Sequence, residues 1–167
     1  MTRSPDQVLE HLLEHERLWL FLDYDGTLAD YAPTPEYTVT EPEIVALVTR
    51  LTLCPRVRAA VISGRQLSQL QQLLPVPNIL LAGTYGVELQ TFDGEIVQRA
   101  ERSVIRPALE WLKPLWQQLI ADHAGFFVED KGWTLALHAD FATAVEAGQV
   151  LTEACLSTLG LASSGEF

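Results

Sequence analysis

The run Leu18-Trp19-Leu20-Phe21-Leu22 is continuously apolar, and it stops at Asp23-Tyr24-Asp25-Gly26-Thr27. A run this short suits a strand covered on both faces better than a buried helix. The abrupt stop matters as much as the run. Two carboxylates one residue apart repel each other, so a buried strand gains nothing by ending on them. A cation from outside the chain gives the arrangement a use.

The same pattern recurs. Val57–Ile62 runs into Ser63-Gly64-Arg65, and the strand-like stretch 78–82, apolar after Asn78, runs into Gly83. Between these strands lie two helical stripes: Ile44, Val45, Leu47, Val48 and Leu51, then Leu67, Leu70, Leu73 and Leu74, the latter ended by Pro75-Val76-Pro77. Alternating strands and helices imply an α/β fold with a parallel sheet and right-handed crossovers. Ligands of such sheets bind at the carboxyl ends of the strands. Asp23, Ser63 and Gly83 all fall there.

Flanking elements are read in the same way. Ser4, Pro5 and Gln7 form a capping box for a helix running to about Arg17, with Val8, Leu9, Leu12 and Leu13 as its stripe. Residues 29–40 read as a proline-bearing ordered loop, and Thr40 with Glu43 as a capping box for the second helix. Past residue 86 a hairpin turns at Asp93-Gly94. A helix over 107–121 carries a possible kink at Pro114, and a second hairpin flanks Lys131-Gly132. Asp140 opens a last helix that Gly160 closes. The tail after Gly160 reads as the stub of another strand or as an artificial extension.

Composition narrows the function classes. With 22 acidic against 11 basic side chains in 167 residues, the formal net charge is −11. Such a surface disfavours nucleic acid and anionic membranes. The N-terminus lacks a signal-peptide pattern and no stretch is long enough to span a bilayer, so the expectation is cytoplasmic. Cys54 and Cys155 read as buried free thiols. The His-x-x-Glu-His pattern at 11–15 invites a zinc reading, but a solvated helix face is preferred, since no later acidic residue stands out as a third ligand. Trp19, Trp111 and Trp116 read as core, and His138 as a satisfied strand-end side chain.

A carboxylate pair on a rigid turn can ligate Mg²⁺, with waters and a phosphate completing the shell. Next to that cation, Asp23 can attack phosphorus and form an aspartyl-phosphate. A bend at Gly26 lets Asp25 serve as acid to the leaving oxygen and as base to water. Thr27 and Ser63 offer hydroxyls and neighbouring N–H groups to phosphate oxygens.

"LFLDYDGTL" followed by "VISGR" resembles the first two motifs of the haloacid-dehalogenase superfamily of phosphotransferases. Tyrosine between the aspartates, with "FVEDKGWTLALH" later, resembles the trehalose-6-phosphate phosphatase family within it. The resemblance implies a haloacid-dehalogenase-like core over residues 1–100 with helices on both sheet faces, and a partial α/β cap over 101–167. It implies a nucleophilic Asp23, an acid/base Asp25, and Mg²⁺ held by the Asp23 carboxylate and the Asp25 carbonyl. Phosphate falls to Gly26, Thr27, Ser63, Gly64 and Arg65; the sugar falls to Tyr85, Gly86, Glu129 and Lys131. The plain alternative for Glu129 and Lys131 is a surface ion pair at a hairpin tip. Tyr85 stands where the family often has histidine.

The resemblance also calls for a later lysine and an acidic metal cluster. No lysine follows Lys131, so the chain reads as an N-terminal portion, nearly inactive alone. The expected activity is Mg²⁺-dependent hydrolysis of trehalose 6-phosphate. Its rivals are a phosphatase for another osmolyte phosphate, such as glucosylglycerol phosphate, and a non-catalytic sugar-phosphate-binding domain. A trehalose-phosphate synthase partner and self-association through open sheet edges are further expectations.

Overall fold

The computed structural model describes residues 4–30 and 39–164. The chain divides into two compact units, Met1–Arg99 and Ala100–Phe167.

In the first unit, helix α1 (Pro5–Leu13) starts with the Ser4/Gln7 capping box: Ser4 N donates to Gln7 Oε1 at 3.0 Å and Gln7 N donates to Ser4 Oγ at 3.3 Å. It ends four residues short of Arg17. Strand β1 (Leu18–Asp23), helix α2 (Pro42–Thr52), strand β2 (Val57–Ile62), helix α3 (Leu67–Leu73) and strand β3 (Leu80–Gly83) follow the expected alternation. The three strands are parallel, with Asp23 beside Ile62 and Ile62 beside Ala82, so their carboxyl ends lie level. Strands β4 (Glu88–Gln90) and β5 (Ile96–Gln98) form the expected hairpin around Gly94, whose φ is 86°. They add antiparallel to β3, so the five-stranded sheet is mixed, in the order β1-β2-β3-β4-β5.

Both crossovers move the same way across the sheet, so right-handedness puts α2 and α3 on one face. The core lies there: Val48, Leu67, Leu70 and Leu74 pack on Ala59, Val61, Leu81 and Tyr24. The opposite face differs from expectation. Residues of β1 alternate between half-buried and exposed; Trp19 and Phe21 are 54% and 66% exposed, stacked with ring centroids 5.8 Å apart. At the sheet's edge, β1 leaves the side of Trp19 and Phe21 open and is covered on one face only. Trp19 and Trp111 are thus exposed and Trp116 half-buried, against their reading as core, Trp19 alone because of this open strand face, while Trp133 is the buried tryptophan.

In the second unit, helix α4 (Arg102–Leu119) starts five residues before the expected position, with Pro107 and Pro114 inside it. Hairpin β6 (Phe127–Asp130) and β7 (Leu135–His138) turns through Lys131 and Gly132. Helix α5 (Ala144–Ser164) is opened by Thr143, whose Oγ1 accepts from Glu146 N at 3.3 Å, rather than by Asp140. Gly160 lies inside this helix, which continues to Ser164, so most of the tail is helical. Leu112, Trp133, Val150 and Ala154 are the buried apolar residues of the unit.

Residues 31–38 of the proline-bearing loop and the last three residues of the tail lie outside the described residues. Thr40 forms no capping box: Glu41 precedes α2 as its N-cap without a side-chain bond, and the Thr40 hydroxyl meets Tyr24 instead. Both cysteines are free, yet Cys54 is half-buried and Cys155 exposed. His11 Nδ1 lies 3.4 Å from Glu14 Oε2, and the His15 ring donates to the His11 carbonyl at 3.0 Å. Among the described residues, no helix is long and apolar enough to cross a membrane.

Candidate active site

The turn after β1 is built by the main chain. The Tyr24 carbonyl accepts from Thr27, Leu28 and Ala29 N–H groups, and Gly26 N donates to the Ala29 carbonyl at 2.8 Å. Gly26 has φ 79°, a left-handed value that glycine adopts without strain. Alternation sends Tyr24 inward to zero exposure, between an exposed Asp23 and a half-buried Asp25. The Tyr24 hydroxyl and Thr40 Oγ1 are 2.5 Å apart. Burial pushes the Tyr24 phenol above its ordinary pKa against the lowering effect of that bond.

The two carboxylates are held differently. Asp23 Oδ1 accepts from Tyr24 N at 2.9 Å, which aims the exposed side chain. Asp25 meets the Arg65 guanidinium: Nε lies 3.1 and 3.0 Å from its two oxygens and one terminal nitrogen 2.6 Å from Oδ1. Arg65 is 8% exposed and sits 5.5 Å from the Tyr24 ring centroid.

The ends of β2 and β3 are latched together. Ser63 Oγ accepts from Arg65 N at 3.1 Å. Thr84 N donates to the Arg65 carbonyl at 2.7 Å and Tyr85 N to the Ser63 carbonyl at 2.9 Å. These bonds hold Thr84 and Tyr85 at φ 47° and 57°, conformations that cost about 1–3 kcal/mol each and gather at functional sites. The Tyr85 ring covers Gly64, where a Cβ would lie 2.6 Å from the tyrosine oxygen. A Cβ on Gly83 would lie 2.4 Å from Leu67 N, so β3 and α3 meet backbone to backbone.

In the second unit, strand alternation divides the Glu129-Asp130-Lys131 triplet between two sides. Asp130 is gripped by α4: Arg106 donates to its two oxygens at 2.7 and 2.8 Å, and Lys113 Nζ lies 3.2 Å from Oδ2. Gly132 N adds a bond to Oδ1 at 2.9 Å. The Arg106 bonds, aided by Gly132 and Lys113, hold the Asp130 carboxyl well below the usual range. Glu129 Oε2 lies 3.4 Å from Lys131 Nζ and 2.9 Å from His138 Nε2.

The trehalose-phosphatase family matches residues 21–159, most of the chain. The chain belongs to that family. It is 35% identical over 119 residues to a probable trehalose-phosphate phosphatase of Sinorhizobium fredii, covering 71% of this chain and 43% of that protein. It is 31% identical over 132 residues to a trehalose-phosphate phosphatase of Mycobacterium tuberculosis, covering 78% of this chain and 33% of the relative. The chain thus spans less than half the length of these relatives. Among solved structures, the C-terminal domain of Candida albicans trehalose-6-phosphate phosphatase superposes with TM-score 0.82 at 19% identity, covering 95% of this chain and 55% of the other. That likeness shows that the two share a fold.

Within this family frame, the first unit brings Asp23, Asp25, Gly26 and Thr27 onto one turn at the end of β1. It places Ser63, Gly64 and Arg65 at the end of β2, with Tyr85 and Gly86 at the end of β3 and the Tyr85 ring against Gly64. Glu129 and Lys131 pair on the second unit. Sequence reasoning missed Tyr24, Thr40 and Thr84, which hold these turns from inside. Gly83-Thr84-Tyr85-Gly86, with glycine at both ends, was the available signal for a special turn. Among the described residues no three His, Cys, Asp or Glu side chains gather as a metal cluster. The oxygen donors at the β1 end, the Asp23 carboxylate and the Asp25 carbonyl, still suit Mg²⁺, which accepts one or two protein oxygens and fills its shell with water and phosphate.

Proposed function

We propose that this chain carries the nucleophile and phosphate turns of a Mg²⁺-dependent phosphatase acting on trehalose 6-phosphate. The observation that carries the reading is Asp23: exposed at a strand's carboxyl end, aimed by Tyr24 N–H, and neighboured by a second aspartate fixed in direction by Arg65. Asp23 Oδ2 forms the bond to phosphorus as the bond from phosphorus to the sugar oxygen breaks. Asp25, which has to leave the Arg65 guanidinium to carry a proton, delivers that proton to the sugar oxygen. A water then gives its proton to Asp25 and attacks phosphorus, releasing phosphate and restoring Asp23. Ser63 Oγ accepts from Arg65 N, which leaves its proton to donate to a phosphate oxygen. Mg²⁺, when bound, would be held by the Asp23 carboxylate and the Asp25 carbonyl and would supply charge neutralisation. Glu129 and Lys131 supply acceptors and donors for sugar hydroxyls.

Lys113 and Lys131 both belong to the second unit. Within the first unit, charge compensation at the strand ends is expected from the cation, backbone N–H groups and Arg65. Lacking one stabilising group costs roughly 10²–10³ in rate, and the 167-residue chain is expected to turn over slowly by that order.

The test is phosphate release from trehalose 6-phosphate, glucosylglycerol phosphate and glucose 6-phosphate, with Asp23→Asn as the blank. Beryllofluoride binding followed by ¹⁹F NMR runs alongside. Preference for trehalose 6-phosphate and a Mg²⁺-dependent adduct lost in the variant are expected. Preference for another substrate favours the osmolyte-phosphatase reading. The fold is also that of a Candida albicans trehalose synthase regulatory protein C-terminal domain, TM-score 0.73 at 13% identity. An adduct-free Asp23 would move the reading toward a regulatory, non-catalytic role.

A further inference from the structure

We propose that His138 is a positioning residue for sugar recognition, holding the Glu129 carboxylate so that one defined oxygen faces the ligand. The inference rests on the assignment of Glu129 to the sugar. Strand pairing sets the imidazole directly across from Phe127, and the two rings stack with centroids 4.4 Å apart and planes 5° off parallel. Glu129 is two residues on from Phe127, on the same side of the hairpin, within diagonal reach of residue 138. Stacking fixes the ring plane, and Nε2 reaches Glu129 Oε2 at 2.9 Å. Lys131 Nζ approaches the same oxygen at 3.4 Å. Both donor groups converge on Oε2, and in this reading Oε1 is the atom that accepts from a sugar hydroxyl.

The surroundings support a device for orientation. Glu129 and His138 side chains are 22% and 27% exposed, accessible to a ligand yet restrained. His138 Nδ1 faces Asp140 Oδ2 at 3.9 Å, so the ring lies between two carboxylates. The other side of the triplet is anchored independently by Arg106 and Lys113 on Asp130, so the hairpin backbone does not need His138 to stay in place. A carboxylate held by a ring, a lysine and a rigid hairpin loses little rotamer freedom when a hydroxyl binds, which is where preorganisation gains affinity.

The experiment is calorimetric titration of the 167-residue chain with trehalose 6-phosphate, trehalose and inorganic phosphate. His138→Gln keeps an N–H donor without the ring; His138→Phe keeps the stack without the donor. His138→Gln is expected to bind trehalose 6-phosphate within about threefold of the unaltered chain, and His138→Phe about tenfold more weakly, one hydrogen bond's worth. Affinity for inorganic phosphate stays unchanged in both. In a Glu129→Gln background, His138→Phe is expected to add no further loss. The reverse ranking, Phe retained and Gln weakened, shows a packing role and overturns the inference. So does an undiminished His138→Phe effect in the Glu129→Gln background. If Glu129→Gln alone changes nothing, or the unaltered chain ignores both sugars, the assignment of Glu129 itself falls.

Discussion

The strand-end turns of residues 1–99 and the β6–β7 hairpin of residues 100–167 present polar groups by opposite means. At the strand ends the main chain does most of the work, beside the Arg65–Asp25 ion pair: the Tyr24 carbonyl gathers three N–H groups, and Thr84 and Tyr85 are pinned to the Arg65 and Ser63 carbonyls. In the hairpin, side-chain charge does it, with Asp130 between Arg106 and Lys113, and Glu129 between Lys131 and His138. Backbone frameworks are sensitive to added atoms and indifferent to pH. Charge frameworks respond to protons and salt.

The sharpest way to break this contrast is at Asp23. Asp23→Asn keeps the Tyr24 N–H contact through its amide oxygen, so the turn is expected to fold unchanged while beryllofluoride binding and phosphate release fall to background. A folded variant that retains the adduct moves the nucleophile elsewhere. Next in size, Gly83→Ala forces a methyl into the Leu67 backbone and is expected to lower stability by about 1–3 kcal/mol, read as a drop in the urea midpoint. An unchanged midpoint means that β3 and α3 are not in backbone contact.

Asp130→Asn sharpens the other side of the comparison, with an expected loss of roughly 1–3 kcal/mol from breaking charged hydrogen bonds. The sign with pH follows from the depressed carboxyl: folded Asp130 gives up its proton at lower pH than in the unfolded chain. Its contribution is complete above about pH 4, the unfolded value, and is lost as pH falls toward the folded one. Tryptophan emission, followed through unfolding at pH 6 and pH 3, should show the decline in the unaltered chain and a smaller one in Asp130→Asn. Equal declines would detach the acid sensitivity from this ion pair. The smallest expected effect is Tyr24→Phe, about 1 kcal/mol for one buried hydrogen bond to Thr40, with the Asp23 turn preserved.

Much of this was legible in the residues. The strand–helix alternation, the level carboxyl ends and both hairpins follow from short apolar runs and turn glycines. The role of Thr40 was not, because Thr-x-x-Glu is as good a helix cap as it is a partner for a distant phenol, and only folding brings Tyr24 to it. Trp19 and Phe21 misled for a related reason: an unbroken apolar strand reads the same whether one face or two are covered. The last helix starts at Thr143 rather than Asp140 because both are capable caps, and the chain path after His138 chooses between them.

Local pattern by itself determined where the Asp23-Tyr24-Asp25 turn sits, since a chain of alternating buried strands and amphipathic helices has to place it at a strand's carboxyl end. Tertiary structure alone decided that Arg65 faces Asp25, that Tyr85 covers Gly64 and that His138 meets Glu129. All three depend on strand register and the first two also on crossover hand, which bring together residues 40, 21 and 9 positions apart; no local preference of either partner encodes them.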